Sequence, residues 1–234
     1  MGSILVVDDD ENTRKLVSAN LEKRGYQMAE AANGNQVMSL FREHTFDLIL
    51  LDLGLPGISG VDVCSWIRAR SDIPIIVLSG HSEEELKVTA LDAGADDYVT
   101  KPFGQAELLA RVRAVLRRGN TNGSENTSEK VHIGDLTVDF ETRRVSVAGK
   151  NIRLTRTEYA ILEILAKHPD VVVERNDLLS QVWGPAYRDA SHYLHIYLGR
   201  VRKKLGSQGD LLETIPGVGY RLQANGVRSN HAEA

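Results

Sequence analysis

The sequence predicts two domains of different class: a doubly wound α/β domain with a five-stranded parallel sheet over residues 1–118, and a smaller α+β domain over residues 130–225. Three observations predict this. In the first half, apolar strand patterns alternate with amphipathic helix patterns through five successive units, which implies a parallel sheet with right-handed crossovers. Residues 119–129 (GNTNGSENTSE) hold no large apolar side chain and are rich in Gly, Asn, Ser and Thr, the composition of a flexible linker. Beyond them the pattern changes to short strands, three helices and a closing hairpin.

Taken in order, the first strand is 4–7, all branched apolar residues, and runs straight into Asp8, Asp9 and Asp10. Asp10 or Asn12 can cap a helix reaching Arg24, with Leu16, Val17 and Leu21 on its buried stripe and Gly25 closing it. A strand at 26–31 precedes a helix at 35–43 with Val37, Leu40 and Phe41 inward. Ile49, Leu50, Leu51, Asp52 and Leu53 form an apolar run interrupted by one carboxylate, as expected of a strand buried on both faces that ends at Asp52. A glycine-rich loop leads through Gly60 into a helix ending near Ala69; its spacing matches neither a dinucleotide fingerprint nor a P-loop. Strand 73–79, helix 82–92 stopped by Gly94, strand 97–100 and helix 105–117 complete the domain.

In the second half, strands are expected at 131–133, 136–140, 144–147 and 152–154, forming a small antiparallel sheet. Thr155 and Glu158 form a capping box that opens a helix to Lys167, with Tyr159, Leu162 and either Leu165 or Ile164 inward; Pro169 stops it. A second helix at 175–183 carries Leu178, Leu179 and Val182, and a third covers 191–205. Gly217, Val218, Gly219 and Tyr220 read as the turn of a final hairpin, so the outline is that of a winged helix. Residues 226–234 read as a disordered tail.

With 42% hydrophobic and 26% charged residues, the 234-residue chain has the composition of a soluble globular protein. Its single cysteine, Cys64, excludes an internal disulfide and reads as a small core residue, consistent with a cytoplasmic location. The apolar run at 4–7 is too short for a signal peptide or a membrane span. The net charge of −4 is uneven: residues 1–118 hold 13 Lys and Arg against 18 Asp and Glu, leaving the second half weakly basic. Nucleic acid is therefore expected at the second half, through local clusters.

The strand ends carry the chemistry. Asp8 and Asp9, then Asp52, then Ser79, then Lys101 fall at the carboxyl ends of four strands of one sheet, the edge where ligands collect in open α/β folds. Taken alone, the first acidic run would be a solvated helix start and Asp52 the start of a turn. Together, carboxylates and a hydroxyl suit a hard cation such as Mg²⁺, and Lys101 supplies a point charge suited to a phosphoryl group.

In these motifs (Val7 to Asp10, Leu51-Asp52-Leu53, Leu78-Ser79-Gly80, and Asp96 through Phe103) the first half resembles the receiver domain of two-component response regulators. The resemblance implies that Asp52 accepts a phosphoryl group from a sensor histidine kinase. It implies that Asp8, Asp9, Asp52 and a backbone carbonyl near Gly54 hold Mg²⁺, that Ser79 and Lys101 bind the phosphoryl oxygens, and that Ser79 and Tyr98 form the switch, Tyr98 rotating inward. No enzymatic activity is implied beyond self-phosphorylation and self-dephosphorylation at Asp52.

The third helix of the second half places Leu194, Leu198, Val201 and Leu205 on one stripe, leaving His192, His195, Gly199, Arg200, Arg202 and Lys203 on or near the other side. A basic face is by itself only a solvated face; behind a helix-turn-helix arrangement it has the composition to enter a major groove. Through Leu154 to Tyr159, Val182-Trp183-Gly184, Arg200 to Leu205 and Gly217 to Arg221, this half resembles the effector domain of the OmpR/PhoB family. His192 to Gly199 and Glu213 to Gly217 most resemble KdpE-type regulators of potassium-transport operons; Pro216 departs from the Arg many family members carry there. The resemblance adds Thr214 and Tyr220 to the DNA-binding residues and RNA polymerase to the partners. It also implies a homodimer, formed on phosphorylation through Lys87 with Glu107, Asp97 with Arg111 and Asp96 with Arg118, that sets two reading helices on tandem half-sites of double-stranded DNA. Two other classes compete. An aspartyl-phosphate phosphatase or transferase of the haloacid-dehalogenase type would carry a second Asp where this chain has Gly54, and an adaptor would bind protein instead of DNA.

Overall fold

The computed structural model describes residues 2–80, 84–117, 130–184, 187 and 191–224. The chain divides into two compact units, Met1–Asn120 and Thr121–Ala234. The expected linker at 119–129 and the tail at 226–234 lie outside the described residues.

The first unit alternates β1 (Ser3–Val7), α1 (Glu11–Glu22), β2 (Gln27–Ala31), α2 (Gly34–Glu43), β3 (Leu48–Asp52), α3 (Gly60–Arg68), β4 (Ile75–Ser79), α4 (Glu84–Asp92), β5 (Asp97–Thr100) and α5 (Gln105–Arg117). Its strands form one parallel sheet in the order β2-β1-β3-β4-β5. β3 and β4 are buried at every position, as an apolar run covered on both faces requires. The order turns back between β1 and β3, so the crevice at their carboxyl ends is the topological switch point.

Local chemistry sets the helix ends. Asp10, not Asn12, is the N-cap of α1; its carboxylate accepts from the N–H groups of Asn12 and Thr13. Gly25 follows at φ +87°, a conformation that favours glycine. Leu16, expected on the buried stripe, is 58% exposed. Val17 and Leu21 take the inward positions, and the next one is filled by Ser18, whose hydroxyl donates to Glu30 Oε1. On α2, Val37 is fully buried while Leu40 and Phe41 are half-buried, Phe41 meeting Trp66 edge-on. Cys64 is buried.

The second unit begins with an antiparallel sheet of β6 (Lys130–Ile133), β7 (Leu136–Asp139), β8 (Arg144–Val147) and β9 (Lys150–Ile152). The last of these sits two residues earlier than expected, because its register on β8 ends at Ile152. Then come α6 (Arg156–Lys167), β10 (Val173–Glu174), α7 (Arg175–Trp183), α8 (Ser191–Leu205), β11 (Leu212–Ile215) and β12 (Gly219–Leu222). The capping box of Thr155 and Glu158 is formed. Leu165, not Ile164, takes the inward position on α6. β10 was not expected: two residues are too short for any periodic pattern, yet they pair with β12 and make the wing three-stranded. Gly219 permits that pairing, since a Cβ there would overlap the carbonyl oxygen of Val173. Leu162, Leu165, Leu178, Leu179, Val182, Leu194, Leu198 and Val201 are buried in this unit, with Trp183 packed on Tyr197 at 5.3 Å between ring centroids. None of the helices, among the described residues, is long and apolar enough to cross a membrane.

Candidate functional site

β1, β3, β4 and β5 deliver Asp8, Asp52, Ser79 and Lys101 to one edge of the first unit's sheet because their registers are aligned: Val7 pairs with Leu51, Asp52 with Leu78 and Ser79 with Thr100. Asp8 is 1% exposed, Asp52 7% and Ser79 0%, whereas Asp9 stands in solvent. One oxygen from each of Asp8, Asp9 and Asp52 falls within 4.8 Å of the others. Lys101 Nζ bridges the two buried carboxylates, 2.6 Å from Asp8 Oδ2 and 2.5 Å from Asp52 Oδ2. The remaining oxygens of both accept backbone N–H groups: Asp10 N donates to Asp8 Oδ1 and Gly54 N to Asp52 Oδ1, each at 3.0 Å. Gly54 thus meets Asp52 through its N–H.

Burial raises the Asp8 carboxyl above its ordinary range, against the lowering effect of the Lys101 ammonium and the Asp10 amide. For Lys101, burial works against the charged form, but its contacts with Asp52 and Asp8 outweigh it and hold the ammonium above the usual lysine range. This strand edge therefore carries two buried acidic groups sharing one cation, with a third, exposed acid beside them. Three carboxylate oxygens gathered in this way are the donor type that a hard cation such as Mg²⁺ takes.

Two further residues support the site. Arg14 on α1 donates from one guanidinium nitrogen to the carbonyl oxygens of Asp8 at 2.8 Å and Asp9 at 3.0 Å, and its Nε lies 3.5 Å from Glu30 Oε2. It clasps the acidic loop from behind; an isolated Arg on an amphipathic helix carries no such signal in sequence. Gly60 opens α3 so close beneath the loop that a Cβ would overlap the carbonyl oxygen of Asp52.

The residues expected at the switch and the interface make contacts within the chain. Tyr98, expected to rotate inward, is already 2% exposed, with Lys87 Nζ 5.8 Å from its ring centroid. Asp96 is 1% exposed and engaged within the chain: it accepts from Arg68 Nη2 at 2.8 Å and from Ile75 N at 3.1 Å. Arg111 pairs with Asp97 at 3.2 Å and with Glu107 at 2.8 Å in the same chain. Arg118 lies outside the described residues.

In the second unit, Leu194, Leu198, Val201 and Leu205 are buried as the stripe requires. His195, Gly199 and Lys203 are exposed at four-residue spacing on the opposite side. His192 lies in α8, with its side chain outside the described set. Three of the residues expected at DNA make contacts within the unit. Arg200 turns inward, its Nε 3.1 Å from Oε1 of the fully buried Glu158. Tyr220 is 4% exposed, because its place in β12 between β10 and β11 faces the core. Arg202 is committed to the wing, its Nε donating to the carbonyl oxygen of Leu212 at 2.8 Å and its Nη2 to Thr214 Oγ1 at 2.7 Å.

Comparison with known proteins agrees with this two-part organisation. Residues 4–113 match the response regulator receiver domain family, and residues 149–222 match the family described as transcriptional regulatory protein, C terminal. The transcriptional regulatory protein KdpE of Mycobacterium tuberculosis is 44% identical over 227 residues, covering 96% of this chain and 100% of that protein. Among solved structures, a mutant of RitR superposes with a TM-score of 0.77 at 25% identity, over 96% of this chain and 100% of that one. DrrB of Thermotoga maritima, an OmpR/PhoB homologue, does so with a TM-score of 0.51 at 34% identity, over 95% of this chain and 99% of its own.

Proposed function

The chain belongs to the two-component response regulators of the OmpR/PhoB type, a receiver domain joined to a DNA-binding winged-helix effector domain, and we propose that Asp52 is its phosphoacceptor. The observation that carries this is the cluster of Asp8, Asp9 and Asp52 oxygens within 4.8 Å, with Lys101 bridging Asp8 and Asp52. A carboxylate is a weak nucleophile, and an incoming phosphoryl group brings more negative charge. The attack becomes feasible where cations neutralise that charge and hold the attacking and leaving oxygens in line. Receiver domains bind Mg²⁺ at such an acidic pocket; bound here, it would be held by Asp8, Asp9 and Asp52 with a backbone carbonyl near Gly54, and would supply charge neutralisation. Lys101 and Ser79 then bind phosphoryl oxygens, the donor being a sensor histidine kinase. Hydrolysis of the acyl phosphate at the same centre resets the protein.

In this proposal Ser79 and Tyr98 transmit the state of Asp52 to the face of α4, β5 and α5, where Lys87 and Glu107 join two copies. A dimer converts two weak contacts into one strong one on tandem half-sites. α8 reads the major groove through His192, His195 and Lys203, with Arg202 and Thr214 at the junction with the wing. RNA polymerase is the further partner, the compartment is the cytoplasm, and a potassium-transport operon is the proposed target. The test is phosphorylation by acetyl phosphate with Mg²⁺, followed by sequencing of genomic DNA captured by the parent and by Asp52→Asn. Stable label on the variant, or capture that ignores phosphorylation, overturns the reading.

A further inference from the structure

The carboxylate of Glu158 has no place in either the phosphoacceptor or the DNA-facing residues, yet it draws two cations to itself. It is fully buried. Its Oε2 accepts from Thr155 N at 2.7 Å and from Lys204 Nζ at 2.6 Å, while Arg200 Nε stands 3.1 Å from its Oε1. Both cations come from α8, one helical turn apart, and Arg200 also lies over the ring of Tyr197 at 5.3 Å. A lone carboxylate at such depth would be strongly destabilising, so the two cations are required where they are. The consequence for α8 is a loss of outward charge. Of the basic run Arg200, Arg202, Lys203 and Lys204, the first and last point to Glu158 and Arg202 to the wing, which leaves Lys203 exposed.

We propose that Glu158 acts as an internal stand-in for a DNA phosphate: it holds Arg200 and Lys204 against α6, withholds their charge from nucleic acid, and so keeps sequence-independent binding by α8 weak. This rests on reading α8 as the DNA-facing helix. The physical basis is counterion release. Sequence-independent affinity grows with each phosphate neutralised, by about 0.9 in the slope of log K against log salt. A protein that searches for one site among many gains discrimination when cations that cannot read bases are kept from phosphates. The same network fixes the rotation of α8 about its axis, so that His195, Gly199 and Lys203 face outward together.

The experiment uses the full chain and a random-sequence duplex, with affinity measured by fluorescence anisotropy across a salt series. Three variants are compared with the parent. Glu158→Gln retains a side chain able to complete the capping box. Glu163→Gln removes the same formal charge from α6 at a residue whose ion pair, among the described residues, is the local one with Lys167. Lys204→Met removes one of the withheld cations. Glu158→Gln is expected to bind the random duplex several-fold more tightly at low salt and to steepen the slope by about 1 to 2, while Glu163→Gln leaves it within about 0.5. Lys204→Met is expected to leave the slope unchanged, since its charge is already spent; this arm stands even where Glu158→Gln fails to fold by circular dichroism. A merely structural role for Glu158 would lower affinity without steepening the slope, and that result overturns the proposal. So does a slope reduced by about 1 in Lys204→Met. If the parent itself fails to bind duplex, the assignment of α8 falls together with this one; equal slopes in a binding parent and Glu158→Gln overturn this one alone.

Discussion

Lys101 Nζ stands 2.5 Å from Asp52 Oδ2, and the same ammonium reaches Asp8 Oδ2 at 2.6 Å. The lysine therefore holds together two buried carboxylates that would otherwise repel. Lys101→Gln is expected to lower metal-free stability by about 1 to 3 kcal/mol and to lose most of that deficit when Mg²⁺ is added. Thermal denaturation in EDTA and in millimolar Mg²⁺ checks this. Equal melting temperatures for parent and variant in EDTA would show that the bridge is not holding the pocket.

Asp8 gives the metal-free receiver a pH dependence whose sign is fixed. Burial raises its folded pKa, so folding favours the protonated acid. Its stability contribution is then present below the unfolded value of about 3.9 and is lost as pH rises through the raised folded value. Mg²⁺ favours the ionised form, so the stabilisation it gives should grow over the same window. Asp8→Asn should remove that growth; a metal-induced shift that is flat in pH for the parent would contradict it.

Arg14 binds no metal and touches Asp8 and Asp9 only through their carbonyl oxygens. Arg14→Gln should leave the metal-free melting temperature nearly unchanged but weaken Mg²⁺ affinity about 10-fold, the range typical of groups that orient ligands. Isothermal titration of Mg²⁺ decides it. An unchanged affinity would reduce Arg14 to a loop brace.

Arg202 joins α8 to β11 through Leu212 and Thr214. Arg202→Ala should cost the effector domain about 1 to 2 kcal/mol of stability and relax the wing, visible as faster hydrogen exchange at the β11 amides. Exchange equal to that of the parent would mean that the wing is held without it.

For the dimer, Lys87→Glu or Glu107→Lys alone should impair phosphorylation-dependent association, and the double swap should partly restore it. Light scattering against concentration, with a phosphoryl mimic, measures this. Glu107 starts from an internal pair with Arg111, so each exposed pair is worth at most about 1 kcal/mol, doubled by two-fold symmetry. Singles that associate like the parent would move the interface elsewhere.

The strand-helix alternation, the carboxylates at strand ends and the apolar stripe of α8 were legible in the sequence because each is a local pattern with a period or a spacing. β3 is fully buried, Asp10 caps α1 and Thr155 boxes with Glu158 as those patterns require. What sequence could not give was the partner of each charge. Asp96, Asp97, Arg200 and Arg202 all read as outward charges, yet each is tied to a group brought near by the fold, at Arg68, Arg111, Glu158 and Leu212 respectively. Leu16 was misplaced for a related reason: which side of an element faces the core depends on what packs there, as Ser18 with Glu30 shows. Periodicity is a property of neighbours in the chain, whereas charge pairing and burial are decided by neighbours in space. Only the tertiary structure supplies those.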